Sequence, residues 1–144
     1  MIRRASRLVA EGFDREAIEY GNRIEEYDDD ASGVEAGFTV RNGPRICAKF
    51  ISGDEDNTVA IRIFGLIHVT EDKWPQIIRA INDVNNDYRY ISFSMDEDGD
   101  VNAKYDLPVS LEDGQVGKVA AEIFVRITQI IDEVYPDFMR AMWA

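Results

Sequence analysis

Apolar and polar positions alternate in three consecutive stretches, and that pattern organises the rest of the chain. "GVEAGFTVRN", residues 33–42, sets Val34, Ala36, Phe38 and Val40 against Glu35, Thr39 and Arg41, as a half-buried strand requires. "RICAKFIS", residues 45–52, repeats the pattern with Ile46, Ala48 and Phe50 against Cys47, Lys49 and Ile51. "TVAIRIFGLIHV", residues 58–69, carries Val59, Ile61 and Ile63 on one side and Ala60, Phe64 and Leu66 near the other. A strand apolar on both sides is expected to be central and covered on both faces. "NGP" at 42–44 and "GDEDN" at 53–57 supply the turns between the strands.

Helical spacing brackets this block. A first helix is expected from about Arg3 to Tyr20, with Leu8, Ala17 and Ile18 as its apolar side. Gly12 is a weak point or an early stop, and Asp14 is a candidate cap for a fresh turn. "YDDDASG", residues 27–33, reads as an acidic loop. Thr70 is expected to cap a second helix in which Trp74, Ile77, Ile78, Ile81 and Val84 keep helical spacing. Pro75 fits its first turn, and Asn85, Asn86 and Asp87 should end it. "YRYISFSM" and "VNAKYDL" then alternate on either side of Asp98-Gly99, a strong hairpin signal. From about Leu111 onward a broad apolar stripe runs from Val116 to Met142, with Pro136 expected to bend or restart the helix. Val125 and Trp143 add apolar surface off that stripe.

The 144 residues are most simply one domain, long enough to bury a core without a metal or disulfide. The formal net charge of −12 and the lack of a lysine/arginine cluster argue against nucleic acid and anionic membrane as partners. The arginines near the start are followed by too short an apolar run for a signal peptide, and no run of about 18 apolar residues spans a membrane. The single cysteine, Cys47, fits a reducing compartment, so a cytoplasmic protein is expected.

The densest candidate chemistry is "FSMDEDGDVNAKYDL", residues 93–107. Aligning Gly99 with the invariant glycine of an EF-hand puts Ser94 first and Tyr105 last, so both anchoring acids are missing. Asp96, Glu97, Asp98 and Asp100 would sit solvated at a hairpin tip, where paired carboxylates keep ordinary pKa values. A soluble turn that blunts a sheet edge is the plainer reading. His68 is the only histidine, which removes multi-histidine metal sites. Cys47 and His68 could meet across neighbouring strands, but Cys47 has no nucleophile-elbow context. No phosphate-binding glycine motif occurs, and no cofactor is expected. His68, Asn82 and Asn85 are the polar candidates for a small-molecule pocket between sheet and helices. Tyr135, Phe138, Met139, Met142 and Trp143 are candidates for a partner or dimer surface, with core packing the alternative.

The element order and two long motifs carry a resemblance. "WPQIIRAINDVNNDYRYISFSMDEDGDVNAKYDLPVS" ends a helix in an "IN..N" run before a hairpin with an acidic "D.DG.V" turn, and "AAEIFVRITQIIDEVYPDFMRAMWA" forms the tail. Over about residues 34–143 the chain resembles the YbjN family, bacterial proteins labelled as sensory transduction regulators. The resemblance implies a fold similar to type III secretion chaperones, often dimeric, and supplies no catalytic motif. The expected fold is α+β, an antiparallel sheet of about five strands in the order α-β-β-β-α-β-β-α. The expected function is non-enzymatic: a chaperone-like or regulatory homodimer that captures a segment of an unidentified protein partner, with an exposed sheet edge supplying backbone hydrogen bonds and apolar pockets supplying specificity. A small-molecule sensor or enzyme is the alternative, and an adaptor that recognises a basic protein through the acidic face is a third reading.

Overall fold

The computed structural model describes residues 1–21, 23–27, 30–53, 58–109 and 113–143. Three α-helices lie among the described residues: α1 (Arg4–Arg15), α2 (Trp74–Asp87) and α3 (Asp113–Trp143). The strands are β1 (Glu25–Glu26), β2 (Ser32–Thr39), β3 (Arg45–Ser52), β4 (Thr58–His68), β5 (Ser92–Met95) and β6 (Asp100–Pro108). They form one antiparallel sheet in the order β1-β2-β3-β4-β6-β5. The α+β architecture and its chain order are as expected, with six strands rather than about five. The added β1 is two residues long, too short to show an alternation, and it pairs with Gly33 and Ser32. That pairing also takes the end of the expected acidic loop into β2. Asp28 and Asp29 of that loop, residues 54–57 of the next turn and Leu111 lie outside the described residues.

Alternation sends Val34, Ala36, Ile46, Ala48, Phe50, Val59, Ile61 and Val101 to one buried face. Helices cover it. Phe13 of α1 meets Phe50 edge-on at 5.0 Å, and Phe124 of α3 lies within 5.8–6.2 Å of Phe13, Phe38 and Phe50. Farther along α3, Phe138 packs edge-on against Phe93 of β5 at 5.4 Å. Each such side chain contributes about 1.5–3 kcal/mol by leaving water. The opposite face of the sheet carries Glu35, Lys49, Arg62, Phe64, Lys104 and Asp106, none of them buried.

The expectation that the third strand is covered on both faces is corrected. β4 is central, but its second side, Ala60, Arg62 and Phe64, stays open. A bulge explains the misleading pattern. Register slips between Ile63 and Ile67, Gly65 takes φ +66°, and Leu66 is thereby returned to the buried side. Asn102 of β6 fills the bulge by accepting the Gly65 N–H at 2.8 Å.

The first helix also departs from expectation. It ends at Arg15, and its buried side is Ala5, Val9 and Phe13, with Leu8 only partly buried. Ala17 takes φ +55°, the Ile18 N–H reaches Phe13 O at 2.9 Å, and the Ala17 N–H reaches Asp14 O at 3.3 Å. This is a Schellman stop made without glycine. Gly12 does not end the helix. It is where α1 crosses α3, since a Cβ there would lie 2.3 Å from Gly117 O. A Cβ on Gly117 would in turn lie 2.4 Å from Leu8 O. The other end of α1 is clasped by three buried serines. The Ser6 and Ser32 hydroxyls are 2.8 Å apart, Ser6 donates to Ser52 at 3.3 Å, and the Arg3 N–H donates to Ser32.

The second helix starts later than expected. Thr70 does not cap it; its hydroxyl bonds Asp72 at 2.5 Å, and a 3-10 turn over Glu71–Lys73 intervenes. In the last helix, Pro136 lies exposed and helical residues continue beyond it to Trp143, so no restart occurs.

Candidate functional site

The end of α3 was the surface expected to meet a partner, and the structure divides its residues. Phe138 is fully buried against Phe93, so it belongs to the core and not to a contact surface. Tyr135 is half-buried beside the β2–β3 turn, where a Cβ on Gly43 would sit 3.0 Å from its ring. The same turn is tied to α3 by the Arg41 N–H, which donates to Asp132 at 2.8 Å. Met139 and Met142 are half-buried against the core, and Trp143 is 79 % exposed. What remains for a partner is therefore a patch of Met139, Met142 and Trp143 with one side of Tyr135. Nearby, Tyr88 donates to Glu133 at 2.7 Å, which fastens the end of α2 to α3. That hydrogen bond, aided by desolvation, pushes the Tyr88 hydroxyl up to about 12.

The acidic hairpin is a turn with internal order. Asp96 accepts the N–H groups of Asp98 at 2.9 Å and Asp100 at 3.1 Å, and its other oxygen accepts from Asn102 at 3.1 Å. These bonds, the Asp100 N–H first, hold the Asp96 carboxyl below the usual carboxylate range. Gly99 takes φ +88°, and a Cβ there would lie 2.4 Å from Val69 O. Trp74 completes the dock by donating its indole N–H to Val69 O at 2.9 Å. Among the described residues, no cluster of three or more histidine, cysteine or acidic side chains is placed to hold a metal.

The polar pocket candidates do not converge. His68 lies exposed at the end of β4, with Nδ1 2.9 Å from Asp100. Asn82 is exposed on α2. Asn85 is spent on structure: its Oδ1 accepts the Phe93 N–H at 2.8 Å and its Nδ2 donates to Phe93 O at 2.9 Å. The groove beside Asn85 is lined by Tyr88, Arg89, Ile91, Ser92, Lys104 and Tyr105, among others, and reaches neither His68 nor Asn82. Cys47 lies opposite Gly37 at mid-strand, and burial pushes its thiol up, away from a reactive thiolate. The ring partner of His68 is Asp100, not Cys47.

Asn85 also bears on capture at a sheet edge. β5 is one edge, and the outward-facing N–H and C=O of Phe93 are already occupied. At the other edge, β1 spans only two residues, and farther along β2 the Gly21 N–H takes Glu35 O at 2.8 Å. What the fold leaves open is the sheet face instead. Arg45, Lys49, Arg62, Phe64 and Lys104 stand there, none of them buried. The sequence pattern missed this face because β4 looked apolar on both sides.

No helix among the described residues is long and apolar enough to cross a membrane. No curated protein matches the chain. Among solved structures, the chain is similar to the type III secretion chaperone SycH of Yersinia pestis, solved in complex with a stable fragment of YscM2. The identity is 13 %, the TM-score is 0.49, and the match covers 88 % of this chain and 97 % of that one. Residues 9–139 match the model of the YbjN family, described as "Putative bacterial sensory transduction regulator". The chain belongs to the YbjN family.

Proposed function

We propose that this chain is a non-enzymatic regulatory module of the bacterial cytoplasm that captures a segment of a partner protein and forms a homodimer. The observation that carries the reading is the end of α3, where Trp143 stands 79 % exposed beside the half-buried Met139 and Met142. Tryptophan and methionine are enriched where proteins meet, and large apolar side chains in a cluster mark a contact surface. The regulatory label of the family agrees with a binding role. Affinity capture from native cytosol at low and moderate salt, with the wild-type chain and Trp143→Ala side by side, tests it. A recurring partner that survives moderate salt and weakens with Trp143→Ala supports the reading. Capture of nothing, together with a monomer in sedimentation, contradicts it.

A further inference from the structure

We propose that the uncovered sheet face docks an extended acidic segment of a partner protein, held by a row of basic side chains. The inference rests on reading the chain as a protein-binding module and names the surface and the chemistry of its occupant.

The row follows from register. Glu35 of β2 pairs with Lys49 of β3, Lys49 with Arg62 of β4, Arg62 with Lys104 of β6, and Lys104 with Ser92 of β5. Three cations thus stand directly opposite one another on adjacent strands. Side chains so placed have Cβ atoms about 4.5–5.5 Å apart, and like charges there are destabilising. The arrangement is unexpected in a chain with 16 basic and 28 acidic residues.

The acids on this face pair two members of the row and leave Lys104 and, beyond it, Arg45 uncompensated among the described residues. Glu35 meets Lys49 at 3.7 Å, Asp106 meets Arg62 at 2.8 Å, and Asp100 stands at the far end beside His68. Lys104 is exposed and has no ion pair among the described residues. Arg45 extends the basic surface. Its guanidinium lies over Gly37, where a Cβ would come within 2.7 Å of Nη2, and no carboxylate pairs with it among the described residues. Apolar contact lies alongside. Phe64 is 58 % exposed with the Lys49 ammonium 5.9 Å from its ring centre, and Ile51 and Ala60 are half-buried on the same face.

Charge complementarity selects the occupant. A net charge of −12 repels a long polyphosphate at a distance, whereas a short acidic segment meets the row within a Debye length. Phe64 and Ile51 suit the apolar residues of such a segment and offer nothing to a phosphate backbone.

The test is fluorescence anisotropy with a labelled short peptide that alternates glutamate and valine, compared with its lysine–valine counterpart. Lys49→Glu with Lys104→Glu reverses the row, and Arg79→Glu with Lys118→Glu makes the same charge change on exposed helix positions. The acidic peptide is expected to bind and the basic one to bind less. The row variant is expected to lose about tenfold or more in affinity while the helix variant stays within about twofold. A neutral variant, Lys49→Gln with Lys104→Gln, guards against misfolding: it should bind more weakly yet unfold no earlier than wild type, because like-charge crowding is relieved. Equal loss in the row and helix variants overturns the proposal, as does no binding by wild type. Tighter binding of a single-stranded oligonucleotide with the same row dependence assigns the face to nucleic acid instead, and row-dependent self-association assigns it to a second copy. Peptide binding lost while Trp143-dependent capture persists sinks this surface alone; loss of both sinks the protein-binding reading too.

Discussion

Asn85 grips Phe93 by both of its backbone groups, accepting from the N–H at 2.8 Å and donating to the carbonyl at 2.9 Å. A side-chain amide here takes the place that a further strand would occupy, so an edge prone to pairing is closed at that point. Asn85→Ala should therefore cost about 1–2 kcal/mol, the net value of two hydrogen bonds to partly solvated groups. Urea unfolding measures the loss, and the Phe93 amide should exchange faster with solvent. Unchanged exchange at Phe93 would mean that the amide is not held by Asn85.

The crossing of α1 and α3 depends on Gly12 and Gly117. A Cβ on Gly12 falls 2.3–2.4 Å from backbone atoms of Gly117, which cannot swing aside as a side-chain tip can. Gly12→Ala should destabilise by about 1–3 kcal/mol through overpacking, although alanine favours helix. A stabilised Gly12→Ala protein in chemical denaturation would show that the helices do not cross in this contact.

The opposite sign is expected at Ala17. Its φ of +55° lies in the left-handed region, which costs a residue with a Cβ about 1–2 kcal/mol. Ala17→Gly relieves that strain and returns part of the gain as unfolded-chain entropy, leaving about 0.5–1 kcal/mol of added stability. The midpoint of thermal unfolding should rise; a fall would place Ala17 elsewhere.

The Asp96 turn should respond to acid. The folded carboxyl titrates below the usual carboxylate range because Asp100, Asn102 and Asp98 donate to it. A depressed folded pKa gives stability that is present above the unfolded value and is lost as pH falls through the folded value. Amide exchange at Asp98 and Asp100 should stay slow at neutral pH, and protection should fall only below the ordinary carboxylate range. Asp96→Ala should show the loosened turn at every pH, whereas acid loosening that persists in Asp96→Ala would assign it to another group.

Much of the fold was legible because period-two alternation survives in β2, β3 and β6, and helical spacing survives in α2 and α3. The failures have local causes. The bulge at Gly65 shifted Leu66 to the buried side, so β4 looked apolar on both faces and the open sheet face was lost from view. Ala17 ended α1 without the glycine that usually signals such a stop. Gly12 read as a weakness because a helix crossing joins residues far apart in sequence. The same limit applies to the candidate surface. The apolar end of α3 offers Phe138 and Trp143 alike as contact residues, and only the position of β5 separates a core residue from an exposed one. The basic row is a property of strand register: β3 and β4 are consecutive, but Lys104 joins them only because β6 pairs with β4 across the intervening α2 and β5.

The most direct test is hydrogen exchange on the intact chain, alone and with the partner recovered by affinity capture. New protection is expected at the last turn of α3 around Met139–Trp143 and along the sheet strands that carry Lys49, Arg62 and Lys104. Protection confined to other elements, or no change on adding the partner, would contradict that expectation.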